Sequence, residues 1–338
     1  MKVLVTGGLG FIGSHTVVEL QDQGYEVVII DNLENSSIDV LDGITRITGT
    51  TPELYQIDLK DKAEMSRFFK VNQDVQGVIH FAANKAVGES VAQPLKYYRN
   101  NINSLVYLLE ELTTLRHKNL IFSSSCTVYG EADELPITEN ASVKPAESPY
   151  GNTKQIGEEI IQDVCKVTSD FKAIALRYFN PIGAHHTAEI GELPIGVPQN
   201  LVPFITQTAI GLRDKLSVFG GDYPTHDGTC VRDYIHVVDL AKAHVVALQR
   251  LTQNAQQNNF EIFNLGTGKG SSVLQVVESF ERISGKKLNY EVVGRRAGDV
   301  VAAYAETSKA KNILGWQTKL SLDDAMASAW KWEQKIRV

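Results

Sequence analysis

Two hydrophobic rhythms alternate along the first half of the chain. Val3–Val5 is a short apolar run, the pattern of a strand buried on both faces. Helical spacing follows, with Val17, Val18 and Leu20 inward, and ends near Gly24. Val27–Ile30 is a second buried run with Asp31 at its end. Leu54–Asp58, Gly77–Ala83, the stretch NLIFSSSCTVYG at 119–130 and Ala173–Tyr178 predict further strands. Between them, Pro94–Leu115 predicts a helix with Ile102, Leu105, Val106, Leu109 and Leu112 on one side. Strand and helix in alternation imply an α/β fold with a doubly wound parallel sheet, binding ligands at the carboxyl ends of its strands. Asp58, Phe81–Lys85 and Ser123–Ser125 fall at such ends.

The rhythm changes after Asn180. NPIGAHHTAEIGELPIGVPQN is rich in Gly and Pro and has little periodicity. A boundary here gives residues 1–180 as a dinucleotide-binding domain and 181–338 as a smaller α+β domain for the substrate. VRDYIHVVDLAKAHVVAL reads as strand then helix, with Asp239 as N-cap, so the chain is expected to cross back near 231–250.

Composition narrows the class. At 338 residues and 43% hydrophobic, the chain can bury the cores of two domains. A net charge of -7 argues against nucleic acid as a partner. Cys126, Cys165 and Cys230 are too scattered for a disulfide frame or zinc cluster, and suit a reducing cytoplasm. The opening MKVLVTGG leads straight into a strand, leaving no room for a signal peptide. No apolar run reaches the ~20 residues of a membrane span.

The first βαβ unit carries the first chemistry. Gly7, Gly10 and Gly13 recur at three-residue spacing between strand and helix. Such glycines let backbone approach a pyrophosphate at the positive end of the helix, as in a Rossmann-type fold. Asp31 follows Gly13 by eighteen residues, where a carboxylate takes the adenosine ribose hydroxyls. It would repel the extra phosphate of NADP, so NAD is the expected cofactor. Asn32, Asn35 and Ser36 extend that grip. NLGTGKG at 264–270 looks similar but lacks a following strand with a terminal acid. It reads as a turn before a helix capped by Ser271 or Ser272. His185–His186 lacks the second spaced pair of a metal site, and no metal is expected.

SPYGNTK, residues 148–154, carries the second. Tyr150 and Lys154 are one helical turn apart and can face one ligand. A tyrosine titrates near ~10, so acting as a base near neutrality needs a fall of about three units, ~4 kcal/mol. One cation at ~4 Å in a partly shielded site supplies roughly that. Lys154 is one cation and an oxidised nicotinamide would be a second. Ser125, ending the NLIFS strand, can bond the same substrate hydroxyl. Ser125, Tyr150 and Lys154 suit removal of a hydroxyl proton while hydride leaves the same carbon.

In order along the chain, TGGLGFIG, DNLENS, HFAANKAVGES, FSSSCTVYG, SPYGNTK, RYFNPIGAH, VRDYIHVVDL and RRAGD resemble the extended short-chain dehydrogenase/reductase family, and within it the branch that epimerises UDP-hexoses at C4. The resemblance implies transient oxidation of the sugar by tightly bound NAD, with UDP-galactose and UDP-glucose as substrates. It implies a homodimer built through Pro94–Leu115 and the helix after Tyr150. It implies that Gly7, Gly10, Phe11, Ile12, Asp31, Asn32, Asn35, Ser36, Asp58, Leu59, Phe81, Ala82, Lys85, Asn100, Ser123, Tyr150, Lys154 and Tyr178 contact NAD. Ser125, Asn180, Asn200, Leu201, Phe219, Arg232, Arg296 and Asp299 would hold the UDP-sugar. The plainer reading of each arginine is an ion pair with Asp233 or Asp299. Alignment on Gly298 and Asp299 sets Ala303 against the sugar's C2 substituent, where sugar-restricted relatives carry tyrosine. A small residue there implies that UDP-GalNAc and UDP-GlcNAc also interconvert. Phe11 stands where the family often has tyrosine, and Ala83–Asn84 replaces a common Gly-Leu.

Rival readings remain within the same resemblance. A nucleotide-sugar dehydratase or decarboxylase would need carboxylates just after the active serine, where Cys126 and Thr127 stand. A reductase would release its cofactor at every turnover. A non-catalytic NAD sensor would be expected to lack the Ser-Tyr-Lys set.

Overall fold

The computed structural model describes residues 1–296 and 299–337, so Ala297 and Gly298 of the RRAGD motif lie outside the described residues. In chain order, β1 (Lys2–Thr6), α1 (Phe11–Asp22), β2 (Glu26–Ile30), α2 (Asp39–Thr48), β3 (Glu53–Tyr55), α3 (Lys62–Val71) and β4 (Val75–His80) come first. Then follow α4 (Val87–Ala92), α5 (Pro94–Leu112), β5 (Lys118–Ser125), α6 (Pro149–Val167), β6 (Phe171–Tyr178), β7 (Asn180–Ile182), α7 (Leu201–Ala209) and β8 (Leu216–Phe219). The remainder is β9 (Val231–Arg232), β10 (Tyr234–His236), α8 (Val237–Thr252), β11 (Phe260–Leu265), β12 (Ser271–Ser272), α9 (Val273–Ser284), β13 (Tyr290–Val293), β14 (Ala302–Ala303) and α10 (Leu322–Lys335).

Seven strands form one sheet in the order β11-β6-β5-β4-β1-β2-β3, and their pairings are parallel. Successive residues of each central strand point to opposite faces. Val3 and Val5 therefore join one core with α1 and α8, while Leu4 joins a second with α3, α5 and α6. This explains why these strands read as unbroken apolar runs. The order reverses at β1 and β4, which opens a crevice at their carboxyl ends. β11 belongs to this sheet, so residues on both sides of Asn180 build it. A third core joins α7, β8, α9 and α10 with Ile182, Tyr223 and Tyr234. Short pairs carry the chain between the two bodies, β7 with β10 and β9 with β12 and β14.

Several elements differ from the sequence reading. β3 stops at Tyr55 and β4 at His80, so Asp58 and Phe81–Lys85 lie in the loops beyond. β5 stops at Ser125, whose hydroxyl accepts from Thr127 N and starts a 3₁₀ turn over Cys126–Tyr129. Asp239 is not the cap of α8. His236 holds that place, its Nδ1 accepting from Val238 N at 3.1 Å. The Asp239 carboxylate instead takes the N–H groups of Lys319 and Leu320, 2.7 Å each, tying α8 to a distant segment. The NLGTGKG stretch is a turn, and Ser272 caps α9 in a reciprocal box with Gln275.

Candidate functional site

The crevice is walled by loops that follow β1, β2, β3 and β4. Gly7 has φ +68°, and a Cβ there would lie 2.8 Å from Ala82 N. A Cβ on Gly13 would lie 2.2 Å from Gly7 O, so glycine is what lets α1 seat against the loop. Gly10 caps α1 without a side-chain bond, which leaves the first-turn N–H groups of Phe11 and Ile12 for an anion. Asp31 is buried and accepts from Leu9 N (3.0 Å), Leu33 N (3.0 Å) and Ser36 Oγ (2.8 Å). A carboxylate offers about four acceptor positions, so capacity remains for a ribose hydroxyl. Asn32 reaches Asp58 at 3.5 Å, with Leu59 beside it in the core. The glycine cradle, the open helix end and the acid at β2 fit a dinucleotide on the chain's own geometry.

Asn84, where the family pattern has an apolar residue, is part of this wall. Its backbone N and O bond the Asn101 side chain at 2.9 and 3.0 Å, and its Oδ1 accepts from Asn35 at 3.2 Å. Asn101 also reaches Thr153 on α6 at 3.0 Å, and Asn100 donates to Asn101 at 3.1 Å. Two buried amides, Asn84 and Asn101, thus tie the loops after β2 and β4 to α5 and α6. Sequence reasoning missed Asn101, which reads as an ordinary helix residue. Phe81 packs on His244 with ring centroids 4.7 Å apart, and Ala82 lies against Gly7. Lys85 is exposed and reaches Glu192 at 3.6 Å.

Deeper in the crevice stand the predicted proton-transfer residues. Ser148 caps α6, its Oγ accepting from Gly151 N at 3.2 Å, and Pro149 fills the first helical position. Tyr150 and Lys154 consequently share a face. Lys154 is buried, donates to Ser123 O at 2.5 Å and lies 5.9 Å from the centre of the Tyr150 ring. Tyr178 donates to Ser123 Oγ. Burial brings the Lys154 amine down to about 8, against the Glu158 carboxylate. The Tyr150 phenol is pushed up to about 12: burial dominates, the Ser125 hydroxyl opposes it and Cys126 adds to it. This is the reverse of the fall expected from the lysine. Burial of the phenol outweighs the Ser125 hydroxyl, and Lys154, 5.9 Å from the ring centre, does not bring it down. The chain's own groups place and shield the phenol, while a further cation has to lower it.

Across the crevice lies the predicted substrate wall. Asn180 is in β7, and its N–H donates to Asp233 O at 2.9 Å. Asn200 precedes α7 and donates to Glu192 Oε1 at 2.5 Å, with Leu201 as the first helical residue. Phe219 ends β8, with the Arg296 guanidinium 5.7 Å from its ring centre. Arg296 bonds Asp299 at 2.8 and 3.1 Å, and Arg232 reaches the same acid at 3.5 Å. Two cations therefore converge on one partly buried acid and retain donors for a diphosphate. Asp233 is not their partner: it takes Thr267 N, Gly268 N and Ala305 N and staples the glycine turn. Ala303 is partly buried and packs against the cluster of Val128, Tyr129, Ile137, Phe179 and Ala305. Tyr304 points the other way, against Gly270. His185 bonds Thr187 at 2.8 Å, and no metal-holding cluster occurs among the described residues.

Fold and site together define an extended short-chain dehydrogenase/reductase: a reversed-order parallel sheet with a serine and a tyrosine–lysine turn at its crevice, and a second body opposite. Residues 4–329 match the protein family described as GDP-mannose 4,6 dehydratase. The chain is 48% identical to the UDP-glucose 4-epimerase of Bacillus subtilis, over 98% of this chain and 97% of that one. It is 49% identical to the human UDP-glucose 4-epimerase over 99% and 97%. The crystal structure of the Stenotrophomonas maltophila UDP-glucose 4-epimerase, with bound NAD and formylated UDP-arabinopyranose, superposes with TM-score 0.95 at 46% identity, covering 100% and 99% of the two chains. The Bifidobacterium longum enzyme in complex with NAD+ and UDP gives TM-score 0.95 at 45% identity, covering 99% and 98%. The chain belongs to the UDP-glucose 4-epimerase family.

Proposed function

We propose that this enzyme interconverts UDP-galactose and UDP-glucose by epimerisation at C4, using tightly bound NAD. The observation that carries this reading is Tyr150 and Lys154 on one helical face, beside Ser125 and at the end of a glycine-cradled crevice. Gly7, Gly10, Phe11, Ile12, Asp31, Asn32, Asn35, Ser36, Asp58 and Leu59 hold the adenosine and pyrophosphate half of NAD. Phe81, Ala82, Lys85, Asn100, Ser123, Lys154 and Tyr178 hold its nicotinamide half. NAD, when bound, takes up and returns the C4 hydride and brings the positive ring charge the phenol needs. Tyr150 takes the C4 hydroxyl proton at its phenolic oxygen and later gives it back. Ser125 orients that hydroxyl, and Lys154 supplies the second charge. Arg232 and Arg296 take the diphosphate, with Asn180, Asn200, Leu201, Phe219 and Asp299 around it.

The dehydratase that gives the matching family its description needs acids after the active serine. Here Cys126 and Thr127 occupy those positions, and burial pushes the Cys126 thiol up to about 11, so neither is an acid near neutrality. That favours epimerisation. Alanine at position 303 is smaller than the tyrosine of sugar-restricted relatives, so UDP-GalNAc and UDP-GlcNAc are also substrates. The protein works as a homodimer through α5 and α6. Three free cysteines suit the cytoplasm. No helix among the described residues is long and apolar enough to cross a membrane. The test is dinucleotide content: protein purified without added cofactor should release close to one NAD per chain on denaturation. Cofactor-free protein that needs added NADH for turnover would favour a reductase.

A further inference from the structure

Tyr150, Lys154 and Glu158 follow one another at four-residue steps on α6, so the stripe that carries the proton-transfer pair continues into a buried acid. Glu158 is sealed in and accepts from Ser124 Oγ on β5 and from Arg177 on β6, Nε at 2.9 Å and Nη2 at 2.5 Å. Ser124 and Arg177 are register partners on neighbouring strands. The guanidinium lies 4.7 Å from the centre of the Tyr129 ring, in the turn that follows Ser125. The carboxylate therefore stands on lysine's own helix, while its counter-charge reaches it from the sheet. Buried ion pairs are poor sources of stability compared with apolar packing. A pair retained one turn from an active amine therefore points to a task other than stability.

We propose that Glu158 is a positioning residue for the Tyr150–Lys154 couple: its fixed carboxylate keeps the buried Lys154 amine charged and held on Ser123. This rests on the proposed acid–base role of Tyr150.

The other groups around the couple do not do this work. His80 on β4 faces Lys154, but burial and the lysine charge bring it down to about 3, so it is neutral. Tyr178 on β6 and Tyr97 on α5 are both pushed well up by burial and carry no charge at neutral pH. Cys126 and Tyr129 in the 3₁₀ turn are likewise raised by burial, to about 11 and about 12. Arg177 is held protonated by Glu158. That leaves Glu158, one turn from Lys154 on α6 and fixed by Arg177, as the carboxylate that supports the amine against its burial. Without it nothing on α6 opposes the loss of the Lys154 proton to burial, and the couple loses its charged form at a lower pH.

The test is a pair of titrations on the purified holoenzyme of Glu158→Gln, which keeps the shape and the Ser124 contact. The first is the ultraviolet absorbance of the tyrosine phenolate, taken as the difference from Tyr150→Phe. The second is kcat and KM for UDP-galactose against pH. The Tyr150 phenolate should form at higher pH in Glu158→Gln, and kcat should fall roughly ten- to hundredfold, part of the 10²–10⁴ a positioned acid–base group supplies. KM should change little. Glu158→Asp, which restores the charge, should return the phenolate titration toward wild type. If Glu158→Gln does not fold, Glu158→Gln/Arg177→Gln removes both charges and should show the same displaced titration. A variant that melts earlier but titrates as wild type overturns the proposal. A wild-type protein whose Tyr150→Phe variant stays fully active overturns the underlying acid–base reading instead.

Discussion

Tyr150 shows how an environment decides the role of a side chain. The phenol is raised to about 12 by burial, so on its own it is a poor base near neutrality. In the proposed mechanism, Lys154, Ser125 and the ring charge of oxidised NAD make it one. Tyr150→Phe should lower kcat by about 10²–10⁴-fold, the usual worth of a positioned acid–base group, with NAD content unchanged. Steady-state assay and dinucleotide analysis of the variant check this together. The proposed substrate range rests on a smaller residue. Ala303→Tyr should lower kcat/KM for UDP-GalNAc by at least about tenfold while leaving UDP-galactose near wild type, an exclusion of ~1.4 kcal/mol or more. Equal loss on both substrates would remove Ala303 from the C2 pocket. The shared face of Tyr150 and Lys154 was legible because helical spacing fixes which side chains meet, whereas Ala303 was placed by alignment on the RRAGD motif. Asn101 and Arg177 were not, because their partners lie on other elements and sequence spacing does not show which loops meet.

At the scale of elements, α5 divides the stripe that its spacing predicted. Leu105, Leu109 and Leu112 enter the core with Leu108, while Ile102 and Val106 remain partly exposed. On the adjoining α6, Ile156 and Ile160 are also partly exposed. These half-open apolar positions on two packed helices are the face proposed to meet a second copy. Ile102→Asp and Val106→Asp together should shift the sedimentation of the protein from dimer to monomer. An unchanged coefficient would place the interface elsewhere. β1, β2 and β4–β6 were legible because strands buried on both faces read as continuous apolar runs. β7, β12 and β14 were not. With two or three residues each, they carry no period, and distant pairing creates them. His236 replaced Asp239 as a cap because Asp239 is drawn to Lys319 and Leu320, a contact no local pattern announces.

For the whole molecule, burial of neutral histidines sets a limit on the acid side. Burial lowers His15 and His80 to about 3 and His244 to about 4. An unfolded histidine titrates near ~6.5. Because the folded values are depressed, the unfolded chain binds more protons as pH falls. The histidines' contribution is thus complete above ~6.5 and is lost as pH drops toward the folded values. Between pH 7.5 and 5, each should remove on the order of 2 kcal/mol. Urea midpoints should fall over that interval, and His80→Gln should reduce the slope. A flat midpoint from pH 7.5 to 5 would contradict this. The central claim is that one chain with its own NAD inverts C4 of a UDP-hexose. The direct measurement is to incubate the purified protein with UDP-galactose, add no cofactor and follow the anomeric proton signals by NMR. The signals should settle into a mixture of UDP-galactose and UDP-glucose with no other sugar present. Unchanged UDP-galactose, or growth of a 4-keto-6-deoxy sugar, would contradict the account.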